Sequence, residues 1–182
     1  MNIFAVDTSP ERSARWLNNK HSYRMPLESM GMLMFAFPDG FTPYSNSHTH
    51  RHYKHPASRW ARETRENFEW LLTHFEVQLD EYKIRYKRDH DSGQYLNWIR
   101  NNYKSINFSN SGLTPFARCF GPFKEILDKT EHNTIIAYQK FYVLDKIDFA
   151  RWPSIEKIAP FWPEKSEKFV DKNFKNGQYT KR

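Results

Sequence analysis

The densest group of side chains that could carry out chemistry lies early in the chain, where Lys20, His21, Tyr23, Arg24 and Glu28 fall within nine residues. Arg24 and Glu28 are four residues apart, so they share a face if the helix that contains them begins early. Basic groups hold phosphates while a carboxylate moves protons or stabilises a developing cation, so this set suits acid–base chemistry on a phosphorylated substrate. The same residues also fit a solvated helix end with an ordinary ion pair.

A histidine-rich stretch follows, with His48, His50, His52 and His55. Imidazoles at this spacing can chelate zinc together with a carboxylate. No Cys, Asp or Glu nearby supports such a site, so no metal is expected. His55 stands directly before Pro56, which opens a helix, and its ring could reach that helix N-terminus or a phosphate bound there.

Three arginines, Arg59, Arg62 and Arg65, lie on the first turns of the same predicted helix. The positive end of a helix dipole and three guanidinium groups together form a platform for phosphates. Pairing with Glu63 and Glu66 along a solvated helix explains the same pattern equally well.

Aromatic and basic residues alternate further along. Bases of single strands and flipped nucleotides stack on aromatic rings beside Lys and Arg. Most of these rings must instead belong to the core, so we expect a stacking role for one or two at most. The residues are Tyr82, Arg85, Tyr86, Arg88, Tyr95, Trp98, Arg100, Tyr103 and Lys104.

Composition limits the class of protein. The 182 residues include 15 Phe, 10 Tyr and 6 Trp, enough large side chains to build a core and to argue against disorder. The longest apolar run is far shorter than the ~20 residues that span a bilayer. Lys and Arg total 28 against 21 Asp and Glu, a net charge of +7 that favours a polyanionic partner such as nucleic acid. Cys119 is the only cysteine, which excludes an intrachain disulfide and suggests the cytoplasm.

The pattern predicts one all-α domain over residues 1–163, with about five helices and a polar basic tail at 164–182. Its centre is one long helix from Ala57 to Tyr86, because apolar residues recur there every three or four positions without Gly or Pro. The other predicted helices cover residues 10–19, 94–103 and 133–150 and a segment that starts near Pro26.

These motifs resemble a group of small viral and bacterial proteins identified as pyrimidine-dimer DNA glycosylases of the endonuclease V type. The resemblance covers roughly residues 1–90, half of the chain. It lies in an extended N-terminal segment, Asn19-Lys20-His21 with Arg24 and Glu28, His55-Pro56, Trp60-Ala61-Arg62-Glu63, Asn67, Trp70, Glu81-Tyr82 and Arg85-Tyr86.

The resemblance implies a helical fold that binds duplex DNA and flips a nucleotide. In such enzymes an amine forms an imine at C1′ of the sugar, assisted by a glutamate. By this likeness Glu28 matches the carboxylate, and Arg24 and His21 match neighbours that contact phosphates.

The source of the amine differs from the family pattern. The best-known members of the family use the α-amine of a small residue exposed after removal of the initiator methionine. Here the second residue is Asn2, after which Met1 is expected to remain. Three alternatives stay open: Met1 supplies the amine, Lys20 replaces it, or the lyase chemistry is absent.

The leading hypothesis is a DNA glycosylase/AP-lyase-like enzyme that excises damaged or modified bases. A nucleotide- or base-modifying enzyme on the same fold and a non-catalytic nucleic-acid-binding module are the alternatives. We expect a monomer that needs no cofactor and acts on DNA in the cytoplasm, that of the host cell if the protein is viral. The predicted catalytic residues are Glu28, Lys20 and His21, and the predicted nucleic-acid-binding residues are Arg24, His55, Arg59, Arg62 and Arg85.

Overall fold

Helices account for nearly all of the regular structure. A computed structural model describes residues 1–175, 178 and 179. Within these residues the only sheet is a pair of two-residue antiparallel strands, β1 (Phe174–Lys175) and β2 (Gln178–Tyr179), which confirms the predicted all-α class. The described residues form seven α-helices: α1 (Pro10–Arg15), α2 (Asn19–Met34), α3 (Pro56–Ala61), α4 (Arg65–Tyr86), α5 (Leu96–Asn102), α6 (Lys124–Thr130) and α7 (Thr134–Lys146).

The predicted continuous helix over residues 57–86 is wrong, because the chain leaves the helix between α3 and α4. Thr64 has extended dihedral angles, and its hydroxyl oxygen accepts a hydrogen bond from the Asn67 N–H at 3.0 Å. This arrangement is an N-cap, which competes with helix continuation at a threonine. The Asn67 side chain then donates to the Trp60 carbonyl at 2.9 Å and joins the two helices across the break.

Helix α2 begins earlier than the sequence pattern suggested. The Asn18 side chain caps it by accepting from the His21 N–H at 3.1 Å, and Pro26 lies inside the helix. Because α2 starts at residue 19, Lys20, Arg24 and Glu28 follow one another at four-residue intervals along one helix face.

The N-terminal segment runs through the middle of the molecule. Residues 2–6 are buried. The Phe4 ring stacks on His21 of α2 with a centroid separation of 4.4 Å, and the Val6 carbonyl accepts from Gln139 of α7 at 2.9 Å. Helices α2 and α7 therefore hold the first residues of the chain between them.

The segment after residue 163 is not a separate tail where the structure describes it. The Trp152 N–H donates to the Phe169 carbonyl at 2.8 Å, and the Trp162 and Phe169 rings meet edge to face. Phe169 is buried, so residues up to at least 171 pack on the domain. The rest of the predicted tail includes residues 176, 177 and 180–182, which lie outside the described residues.

No helix among the described residues is both long and apolar enough to cross a membrane.

Candidate active site

A cleft of about 650 Å³ opens where α2, the N-terminal segment, the start of α3, residues 118–124 and the end of α7 meet. Five of the residues predicted from the sequence to form a site line it. They are Lys20, His21, Arg24, Glu28 and His55. Early α2 and the start of α3, separated by about thirty residues of chain, are thus brought to one place.

The N-terminal amine lies in this cleft beside a carboxylate. The Met1 nitrogen is 3.7 Å from Oε2 of Glu28, and the main-chain N–H of Asn2 donates to the same oxygen at 3.0 Å. The Met1 side chain is 6% exposed and that of Glu28 is 32% exposed. The separation of 3.7 Å is an ion-pair distance, and a bridging water or a small approach in a bound complex would let the carboxylate accept a proton from the amine while it remains accessible to a ligand.

Asn2 holds the chain end in position. Its side-chain NH2 group donates to the Cys119 carbonyl at 2.7 Å, and its side-chain oxygen Oδ1 accepts from the N–H groups of Ile3 and Phe4. Phe4 adopts a φ of +50°, a left-handed conformation that is uncommon for a bulky residue. This local turn and the buried amide fix the direction in which the Met1 amine enters the cleft.

Two cations of the cleft are available to a ligand. Lys20 and Arg24 are exposed, and within the described part of the chain neither forms an ion pair. The Lys20 Nζ lies 4.3 Å from the centre of the Phe149 ring. A phosphate that enters the cleft would find these cations without having to displace a carboxylate.

Three further cations in the cleft wall have partners. Arg118 lies 2.6 Å from Asp128, which Lys124 also contacts, and Lys146 pairs with Asp145. All three lie about ninety residues or more after Glu28 in the sequence, and local pattern gave no signal for them. They add positive charge to the cleft but are held by their own carboxylates.

His21 is part of the cleft wall but is buried. Its Nδ1 lies 2.9 Å from the Tyr142 hydroxyl, and its ring stacks on Phe4. Burial, followed by the charges of Lys146, Lys20 and Arg24, lowers the pKa of His21 to about 3. The ring is therefore neutral near pH 7, where it shapes the wall and does not serve as a proton donor.

His55 caps α3 at the edge of the cleft. Its Nδ1 accepts from the Ala57 N–H at 3.2 Å. Burial lowers the pKa of His55, and the neighbouring N-terminal amine lowers it further. His55 thus faces the Met1 amine as a neutral group.

The other three predicted nucleic-acid contacts lie elsewhere. Arg85 is 1% exposed, with its guanidinium bonded to Glu81 at 2.9 Å and to the Leu17 carbonyl at 2.8 Å, so the prediction that it binds nucleic acid is wrong. Arg62 donates to the Tyr53 carbonyl at 2.8 Å and covers the Tyr53 ring. Arg59 is exposed but does not line the cleft.

The histidine loop does not gather ligands for a metal. Among the described residues no group of three or more His, Cys, Asp or Glu side chains is arranged to hold an ion. His48 instead bonds through Nε2 to the Phe37 carbonyl at 3.0 Å, and the Nδ1 atom of His50 accepts from the His52 N–H.

Comparison with known protein families, with curated proteins and with solved structures finds no match to this chain. The resemblance noted in the sequence therefore remains a prediction.

Proposed function

We propose that the protein is a DNA base-excision enzyme of the glycosylase/AP-lyase kind, with the Met1 α-amine as nucleophile. It acts on a damaged or modified base in duplex DNA. The observation that carries the proposal is the 3.7 Å separation between this amine and the Glu28 carboxylate inside a cleft rich in cations. Of the two candidate amines, Met1 is the one with a carboxylate beside it.

The chemistry requires the amine in its unprotonated form. The Met1 ammonium gives a proton to Glu28, and the free amine forms a bond to C1′ of the sugar while the bond from C1′ to the base breaks. The base leaves with that electron pair and takes up, through water, the proton that the nitrogen bonded to C1′ gives up. The bond from C1′ to O4′ then breaks as O4′ receives the proton held by Glu28, and the nitrogen lone pair completes a protonated imine. The carboxylate restored in this step stabilises the positive charge of the imine.

The remaining side chains of the cleft bind and orient the substrate. Lys20 and Arg24 lie one turn apart and both precede Glu28 on α2, so they are placed to bind phosphates beside the attacked sugar. His21 packs in the cleft wall as a neutral ring, and His55 is a neutral polar group at the edge of the cleft near the amine. The excess of basic residues supports DNA as the partner.

We place this activity in the cytoplasm and in a monomer. The single cysteine, Cys119, is unpaired, which suits a reducing compartment. All the groups that the proposed reaction needs are supplied by one chain.

Borohydride trapping tests the proposal directly. The protein is incubated with a duplex that contains one abasic site, reduced, digested and analysed by mass spectrometry. We expect a covalent adduct on the peptide that begins with Met1. A matched variant with two extra residues before Met1 moves the amine away from Glu28 and should lose the adduct.

An adduct on Lys20 would contradict the assignment of the nucleophile. Salt-dependent DNA binding without any adduct would contradict the enzyme and favour the non-catalytic binding module.

A further inference from the structure

A second cavity, of about 410 Å³, adjoins the cleft. Met1 and Glu28 line both spaces. The cleft is lined by cations, whereas the remaining walls of the second cavity carry rings and small or apolar side chains. These walls include Leu27, Gly31 and Phe35 of the α2 region and Tyr44, His50 and His52 of the following loop. A nucleotide with its C1′ at the Met1 amine can therefore place its phosphates in the cleft and its base in the second cavity.

The rings of this cavity offer flat surfaces. Phe35 and His50 are nearly parallel, with an interplanar angle of 22° and a centroid separation of 6.3 Å, and His52 meets His50 edge to face at 4.7 Å. Burial, then the neighbouring His50, lowers the pKa of His52, which keeps that ring neutral near pH 7. Flat aromatic and imidazole surfaces of this kind hold nucleobases by stacking.

His50, which lines the cavity, also carries a hydrogen-bond donor. The His52 N–H donates to Nδ1 of His50 at 3.2 Å, so in the neutral His50 ring the proton resides on Nε2. That Nε2–H is a donor for a carbonyl oxygen or a ring nitrogen. A volume of about 410 Å³ lies toward the small end of the ~300–1,000 Å³ of ligand sites, which suits one base and not a base pair.

We propose that this second cavity receives the base that is to be excised, as a single unpaired heterocycle with a hydrogen-bond acceptor on its edge. The inference rests on the proposed function, because it assigns a place to the leaving group of that reaction. It makes His50 and His52 determinants of which base is accepted.

Nucleoside titration followed by NMR tests this proposal without a known lesion. Thymidine, deoxycytidine, deoxyadenosine and deoxyguanosine are each added to the full-length protein while the histidine ring protons are recorded. We expect saturable shifts at His50 and His52 with at least one nucleoside. The exposed His132 should not shift.

Two variants and one matched control locate the binding. His50→Ala should weaken nucleoside binding about tenfold, the loss expected when one stacking ring is removed. Gly31→Leu should abolish binding by filling the cavity, since a Cβ at this helical position meets only Met1 Cε at an ordinary 3.7 Å. His132→Ala, the control, should bind as the unchanged protein does.

The outcomes separate this inference from the proposed function, because an abasic duplex has no base at the site. Absence of shifts with all four nucleosides, or unchanged binding by both cavity variants, would overturn the base cavity even if borohydride trapping succeeds. Nucleoside binding that both variants weaken would support the cavity even if trapping fails and the excision chemistry is wrong.

Discussion

Two pairs of residues with opposite charge share the same four-residue spacing, yet they serve different purposes. Glu81 and Arg85 on α4 form an ion pair at 2.9 Å, with side chains only 4% and 1% exposed. Glu28 on α2 instead lies beside the N-terminal amine, and Arg24 remains exposed without an ion pair in the described part of the chain.

The difference lies in how many hydrogen bonds each region leaves unused. Arg85 donates to Glu81 and to main-chain carbonyls of Leu17 and Arg15, so its guanidinium has little left for a ligand. Arg24 is exposed and has no ion-pair partner in the described part of the chain, and Glu28 accepts from the Asn2 N–H through Oε2 but stays partly exposed. Burial and satisfaction of hydrogen bonds, not spacing, therefore distinguish a structural ion pair from charged residues that are available for chemistry.

The largest expected effect is the loss of stability at low pH, which arises from two buried histidines, His74 on α4 and His21 in the cleft wall. His74 bonds through Nδ1 to the Pro10 carbonyl at the α1–α4 interface, and burial lowers its pKa from 6.5 to about 4. The pKa of His21, in the cleft wall, is lowered to about 3. The unfolded chain takes up protons below pH 6.5 that the folded protein does not, so stability falls as the pH decreases toward these values. Each histidine contributes about 1.4 kcal/mol per pH unit in that range.

Urea unfolding between pH 7 and pH 4 measures this loss. His74→Asn keeps a side-chain donor but cannot titrate, and should make the dependence on pH shallower. An unchanged slope in this variant would show that His74 is not held neutral by burial.

The next largest effect is the loss of folding stability when the buried ion pair between Glu81 and Arg85 is broken. Arg85→Ala should lower the free energy of unfolding by about 3 kcal/mol, because it leaves Glu81 buried without its main partner. The value is at the lower end of the usual range because Lys157 still contacts Glu81 at 3.2 Å.

The matched control for this variant is Lys83→Ala on the same helix. Lys83 pairs with Asp89 at the same 2.9 Å, but both side chains are more than 60% exposed. Its loss should have a much smaller effect than the loss of Arg85 in the same urea measurement, because solvent screens the exposed pair. Equal losses in both variants would remove the distinction between buried and exposed pairs.

In the cleft, Glu28→Gln should slow imine formation with abasic DNA by at least ~10²-fold, since the carboxylate charge is lost. Stability should change by less than about 0.5 kcal/mol, because the amide oxygen can still accept from the Asn2 N–H. The rate of borohydride-trapped product measures the effect, and Glu125→Gln, an exposed carboxylate on α6, is the control. If Glu28→Gln unfolds the protein, Glu28 is a structural anchor of the chain end.

The smallest effect is on DNA affinity. Lys20→Ala should remove about one phosphate contact. A plot of the logarithm of the DNA-binding constant against the logarithm of the salt concentration should then be less steep by about 0.9. Arg62→Ala should leave that slope unchanged, because its guanidinium already bonds to Tyr53. Titrations at several salt concentrations compare the two variants. Loss of the imine adduct from Lys20→Ala at saturating DNA would identify Lys20 as the nucleophile.

The sequence by itself determined the helical class and the four-residue spacing that places Arg24 and Glu28 on one face of a helix that begins early, whereas the start of α2 at Asn19, which adds Lys20 to that face, came from the structure. Helical periodicity and i, i+4 spacing depend only on nearby residues, so they can be read along the chain. The break at Thr64 was missed because the apolar pattern continues in phase while a single hydroxyl ends the hydrogen-bond ladder.

Only the tertiary structure decided which of the charged groups meet. It brought the Met1 amine to Glu28, placed Arg118 in the same cleft wall and buried Arg85 against the turn between α1 and α2. The contact of Met1 with Glu28 and that of Arg85 with Leu17 join residues 27 and 68 positions apart in the chain. Their formation depends on which helix faces pack together and exclude water, a property that local spacing does not encode.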